Sequence, residues 1–150
     1  MENGSLKQAQ RALDDALRAL PDRLRELFET VRFDAALQKL EQAQDPSPDW
    51  VAAQLRTLRL KARTIRVSVS GMAEALAAAL ARYTDAGGTD ALRIAHAREE
   101  LLFLEKTAAD QAAQTARLEA AGQSAALLRA QKEQLDSLEV EQFRQKIGKR

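Results

Sequence analysis

Arg56, Arg59, Arg63 and Arg66 are spaced by three, four and three residues, which on a helix sets them along one stripe. Lys61 falls inside the same stretch, and no acidic residue occurs between Asp49 and Glu74. Arginine's planar fork suits bidentate contact with carboxylate or phosphate, so the chemistry this cluster offers is recognition of an anion. Three destinations compete for it: acids on neighbouring helices, such as Glu26, Glu29, Glu99, Glu100 or Glu105; an acidic protein partner; or nucleic acid. Nucleic acid fits least, because the net charge is only +1 and no aromatic residue interleaves the stripe. His96 is the single histidine and has Glu99 and Glu100 close by. A di-metal helical site needs Glu-x-x-His on two helices with further inward carboxylates, whereas here the order is reversed and occurs once. His96 is therefore read as a surface residue, with no metal or cofactor expected. There is no cysteine, no glycine-rich phosphate loop and no paired carboxylates in an apolar setting. General acid–base and nucleophilic catalysis have no candidate, and the chain reads as non-enzymatic.

The arginines need a long helix to carry them, and residues 51–83 supply it. Val51, Leu55, Leu58, Ala62, Ile65, Val69, Met72, Leu76, Ala79 and Tyr83 alternate steps of four and three without interruption. This apolar repeat of about 3.5 residues marks a helix packing knobs into holes. At about 1.5 Å per residue it runs roughly 50 Å and must be covered by the rest of the chain.

Upstream, Ser5 is the expected N-cap of a helix over residues 5–20, ended or kinked by Pro21. A second helix is expected over 22–44, its stripe shifting near Arg32. Asp45-Pro46-Ser47-Pro48 reads as a stop and restart, with Ser47 capping and Pro48 in the first turn of the central helix, 48–86. Gly87-Gly88 ends that helix and Thr89 caps the next, 90–121. Gly122 and Ser124 suggest a tight turn before a last helix, 124–147; the rival reading is one helix from 90 to 147. Net charge alternates in sign from segment to segment, which suits neighbours lying antiparallel with complementary flanks. The expected fold is all-α, an up-down-up-down helical bundle with long coiled-coil-like helices and its first arm broken near Pro21.

A chain of 150 residues fits one domain, residues 1–150. Hydrophobic residues make up 45%, aromatics only 4%, and alanine supplies 30 residues, so the core is built from Leu and Ala with little room for a large ligand pocket. The N-terminus shows no signal-peptide pattern, and no stretch approaches about 20 uncharged apolar residues. Arginine outnumbers lysine 16 to 7, a bias common in GC-rich bacterial genomes, and the expected location is the cytoplasm.

Residues 33–48 resemble the second helix of a tetratricopeptide repeat at Phe33, Ala36, Leu37, Leu40, Ala43 and Pro48. The resemblance covers one half-repeat of 16 residues; no period of about 34 residues recurs, so it implies no repeat array.

Together these features indicate a protein–protein interaction module: an adaptor, a secretion-type chaperone or an assembly subunit. It would bind a partner helix or a second copy of itself through an apolar seam, with the arginine stripe setting orientation. Leu60 and Val67 lie opposite the seam and indicate burial of the central helix on several sides; left uncovered, they mark a docking surface. Trp50 is expected to close one end of the core. The expected partner-binding set is Trp50, Arg56, Arg59, Leu60, Arg63, Arg66 and Val67. The alternative is a nucleic-acid-associated protein using the stripe and the tail Arg144, Lys146, Lys149 and Arg150.

Overall fold

All ten seam positions of the central helix are buried or half-buried, and they form the spine of the molecule. A computed structural model describes residues 2–148, with four helices and no strand among them: α1 (Glu2–Val31), α2 (Phe33–Glu41), α3 (Pro48–Asp85) and α4 (Ala91–Gly148). Helix α3 packs against α1 on one side and α4 on the other. Asp14 of α1 meets Arg93 at the start of α4, and Glu41 at the end of α2 meets Arg117 further along it. Thus α1–α2 and α4 run the same way, with α3 antiparallel to both. The protein is an all-α helical bundle in which three arms pack together.

The first arm is bent near Pro21, but its helix does not end there. Pro21 lies on the exposed side, so the donor it lacks is lost where water replaces it, while Leu17, Leu20 and Leu24 stay in phase on the core side. The helix likewise starts ahead of Ser5, which sits inside it rather than capping it. The interruption falls at Arg32, whose φ of 52° and ψ of 47° are left-handed. That geometry costs a non-glycine residue about 1–2 kcal/mol. It offsets this by re-aiming Phe33, Leu37 and Leu40 at the core. Lys61, half-buried on α3, donates its Nζ to the carbonyl of Val31, the last residue of α1, and so satisfies one of the four orphan acceptors of that helix end.

Ser47 caps α3 by accepting from the Trp50 amide at 3.2 Å, with Pro48 in the first turn as the sequence predicts. The far end closes in a Schellman turn: the Gly87 amide donates to Thr84 O and the Gly88 amide to Tyr83 O, with Gly87 at φ 96°. The cap of α4 is Asp90 rather than Thr89, its Oδ1 accepting from the amides of Leu92 and Arg93.

The turn expected at 121–124 is absent. Helix α4 runs through it for 58 residues, about 87 Å, against 38 residues in α3. Gly122 serves contact instead: a Cβ there would lie 2.8 Å from the Leu55 side chain, so its absence lets α3 and α4 approach closely. Beyond residue 130 every described α4 side chain is exposed.

Candidate interaction surfaces

Helix periodicity divides α3 into a buried seam and an outer face. On that outer face Arg56, Leu60, Arg63 and Val67 follow one another at four, three and four residues, all exposed, with Leu60 at 65% and Val67 at 59%. No second layer covers them, so the burial of α3 on several sides expected from the sequence does not occur. Gly71, Ala75 and Ala78 are exposed on the same helix. Arg59, at the edge of the face, is engaged by Glu119 of α4 through two hydrogen bonds of 2.9 and 2.8 Å, which raise the Arg59 pKa and hold the Glu119 carboxyl below the usual range. Glu119 takes the role expected of Glu26, Glu29, Glu99, Glu100 or Glu105. Among the described residues Arg56, Arg63 and Arg66 form no ion pair. Trp50 is half-buried against the core and lies apart from this face. The structure thus brings Arg56, Leu60, Arg63 and Val67 together with Arg59 and Arg66 alongside, and leaves Trp50 out.

An 18-residue window of α3 reaches a mean hydropathy of 1.2, long and apolar enough by composition to cross a membrane. Core helices of bundles meet the same criterion when mostly buried; here 22% of the window is buried, Val69, Met72, Leu76 and Tyr83 lying on its core side.

The second surface comes from α4. Leu127, Leu128, Leu135, Leu138, Val140, Phe143 and Ile147, read from the sequence as part of a closing helix, are all more than half exposed. They are unpaired because the α1–α2 arm and α3 end before α4 does. Their phases also disagree: Leu128 and Leu135 keep a seven-residue spacing, whereas Val140, Phe143 and Ile147 lie on a turned face. That loss of a single phase, set against the unbroken seam of 51–83, is the signal that could have marked this segment as uncovered.

Where the overhang leaves the body, a groove of 610 Å³ opens between α4 and the α2–α3 connection, walled by Leu40, Ala43 and Pro46 on one side and by Ala121, Ala125 and Leu128 on the other. Asp45 stands beside it with φ of 47°, a left-handed geometry that Asp tolerates better than most residues. Its carboxylate accepts from Arg129 at 3.2 Å and from Lys132, and chiefly the Lys132 contact lowers its pKa below the ordinary carboxylate value. Glu41 and Arg117 pin the same corner, with Nε to Oε2 at 2.8 Å, and raise the Arg117 pKa. None of these residues stands out in the sequence, since each pair is separated by more than seventy positions.

At the opposite end Arg93 is held by Asp14 at 2.7 and 3.2 Å and by Asp90 at 2.9 Å, with its guanidinium 5.7 Å from the centre of the Tyr83 ring. Its pKa is raised, first by Asp14 and then by the Tyr83 hydroxyl. The Tyr83 oxygen accepts from the Asp90 amide at 3.1 Å. This end is closed by structural contacts. His96 is exposed, its Nε2 3.7 Å from Glu100, and among the described residues no three His, Asp or Glu side chains converge as metal ligands. Of the basic tail, Arg144 and Lys146 are exposed on α4, while Lys149 and Arg150 lie outside the described residues. No protein-family model, curated protein or solved structure matches the chain.

Proposed function

We propose that this chain is a non-enzymatic protein–protein interaction module, an adaptor or assembly subunit that engages partner helices. One observation carries the reading: the C-terminal part of α4, residues 127–147, presents seven large apolar side chains to solvent, and beyond its ion pairs with Asp45 every described side chain of it is exposed. Exposed apolar surface of that extent on a helix is unfavourable in isolation and is the kind of surface that partners cover. The 3.5-residue seam of α3 does not serve this purpose, because α1 and α4 already consume it. The partner surface therefore shifts from the seam to the overhang, with the outer face of α3 as a second, more basic contact through Arg56, Leu60, Arg63 and Val67. The three unpaired arginines favour an acidic partner there, and an exposed aromatic platform of the kind single-stranded nucleic acid stacks on is missing from the described part of that face.

Photocrosslinking inside the native cell tests the reading. A benzophenone amino acid placed at Leu138 or Phe143 is expected to give discrete protein adducts, and the same probe at exposed Arg18 is expected to give none. Identical, diffuse labelling at all three positions removes the overhang as an interaction surface.

A further inference from the structure

The overhang carries a stripe that reads the same in both directions. Starting at Ala121 and ending at Ile147, its positions follow steps of four, three, four, four, four, three and four residues. A palindromic stripe on a helix is what a two-fold axis needs, since in an isologous contact each residue i of one copy faces j of the other while j faces i. Folded about the level of residue 134, the positions pair as Ala121 with Ile147, Ala125 with Phe143, Leu128 with Val140 and Lys132 with Asp136. Beside the stripe, Arg129 falls opposite Glu139. Ala121 and Ala125 meet the large Ile147 and Phe143, Leu128 meets Val140, and both charge pairs are of opposite sign, so this stripe complements itself, while Leu127, Leu135 and Leu138 fall outside it.

We infer that the occupant of this surface is a second copy of the same chain, its α4 lying antiparallel across residues 121–147 of the first. This rests on the interaction reading above and names its partner. The bundle is already shaped for the contact. Ala121 and Ala125 line the 610 Å³ groove together with Leu40 and Pro46, and Phe143 of the second copy would enter it. Phe143 is 63% exposed in the single chain. Lys132 and Arg129 sit at the edge of that groove, both paired with Asp45 and Arg129 also 3.6 Å from Glu133, so the acids at 136 and 139 of the second copy would join an ion-pair network there. The overlap is about 40 Å long on each copy. The stripe averages about 3.7 residues per turn, which favours a nearly straight or slightly right-handed crossing, and explains why a 3.5-residue repeat is absent from this segment.

The chain has no cysteine, so engineered thiols report the register against a clean background. The full chain carrying both Leu128→Cys and Val140→Cys is expected to form chain-to-chain disulfides under mild oxidation, because the two positions face each other across the axis. They cannot bridge within one chain, being about 18 Å apart on the same helix. Each single variant is expected to stay uncrosslinked. A crosslink from Val140→Cys alone means the copies lie parallel and overturns the proposal. So does a mass of one chain, 16.6 kDa, in light scattering of the unmodified protein at all concentrations, where twice that mass is expected. Asp136→Lys with Glu139→Arg, two exposed residues in no ion pair of the body, is expected to halve the mass while helical circular dichroism is retained; a persisting dimer also overturns it. If the protein is a monomer yet the benzophenone probe at Phe143 captures a foreign protein, self-pairing fails and the interaction reading stands. If neither occurs, both fail.

Discussion

Gln111 is the buried polar residue of the described core, 6% exposed in a row otherwise made of Ala97, Leu104 and Leu118. Its Nε2 has no hydrogen-bond partner. A buried donor left unpaired costs about 1–3 kcal/mol, whereas an apolar side chain of similar volume in the same place costs nothing of the kind. Gln111→Leu is therefore expected to raise stability by about 1–2 kcal/mol, which for a chain of this size lifts the melting temperature by a few degrees. Gln111→Ala separates the effects, because it removes the amide but leaves a cavity and should gain little or lose. Thermal unfolding of both variants decides the matter; a lower melting temperature for the leucine variant means that the amide is satisfied in solution and belongs to a polar contact. The residue also lines a cleft with exposed Phe28 and Phe103.

At the scale of elements, two glycines with similar sequence credentials do opposite work. Gly88 lies in the Schellman turn, and an added Cβ would sit 2.3–2.5 Å from the ring atoms of Tyr83, a side chain fixed from behind by the core and at its hydroxyl by Asp90. Gly122 lies inside α4, and its Cβ would meet only the flexible end of Leu55 at 2.8 Å. Gly88→Ala is expected to cost about 2–4 kcal/mol as an overpacking substitution against a ring that cannot retreat. Gly122→Ala is expected to stay within about 1 kcal/mol of the parent, since the gain of about 1 kcal/mol in helix propensity offsets the shift of Leu55. Urea unfolding measures both, and equal costs would contradict the contrast. The same pair shows what the sequence could convey. The seam of α3 was legible because ten positions repeat one phase, and the caps at Ser47 and Gly87 because their chemistry is local. Gly122 and Ser124 looked like a turn because the reason for the glycine, Leu55, sits sixty-seven positions away. Pro21 reads as an end or a kink, and the kink is what occurs; that the helix continues depends on its solvent-facing side, which is invisible without the core. The outer face of α3 was found by position, yet the absence of a layer over Leu60 and Val67 depends on how few helices remain to cover them.

For the whole molecule, register is set by ion pairs that tie distant segments together: Asp14 to Arg93 at one end, Arg59 to Glu119 midway, and Asp45 to Arg129 and Lys132 at the mouth of the groove. Asp45 and Glu119 both have carboxyl pKa values lowered in the folded state, the first chiefly by Lys132 and the second chiefly by Arg59. A carboxyl whose folded pKa is depressed contributes stability that is fully present above its unfolded pKa and fades as the pH falls through the folded one. The contribution is thus constant at neutral pH and is withdrawn on acidification below the ordinary carboxylate range. Both carboxylates are exposed, so each contribution is small and screened by salt. The expected result is local: at acid pH the 42–47 connection lets go of α4 before the seam of α3 melts. Hydrogen exchange at the hydrogen-bonded amides of Gln42 and Ala43 reports this, and exchange there should accelerate on lowering the pH into that range relative to intrinsic rates, while Leu58 and Ile65 stay protected. Asp45→Asn should show the acid behaviour already at neutral pH and respond little to further acidification. A full pH response retained by the asparagine variant assigns the release to a carboxyl other than Asp45; no response in either protein means that the connection is held by Leu40 and Pro46 rather than by charge. The groove would then keep its shape in acid.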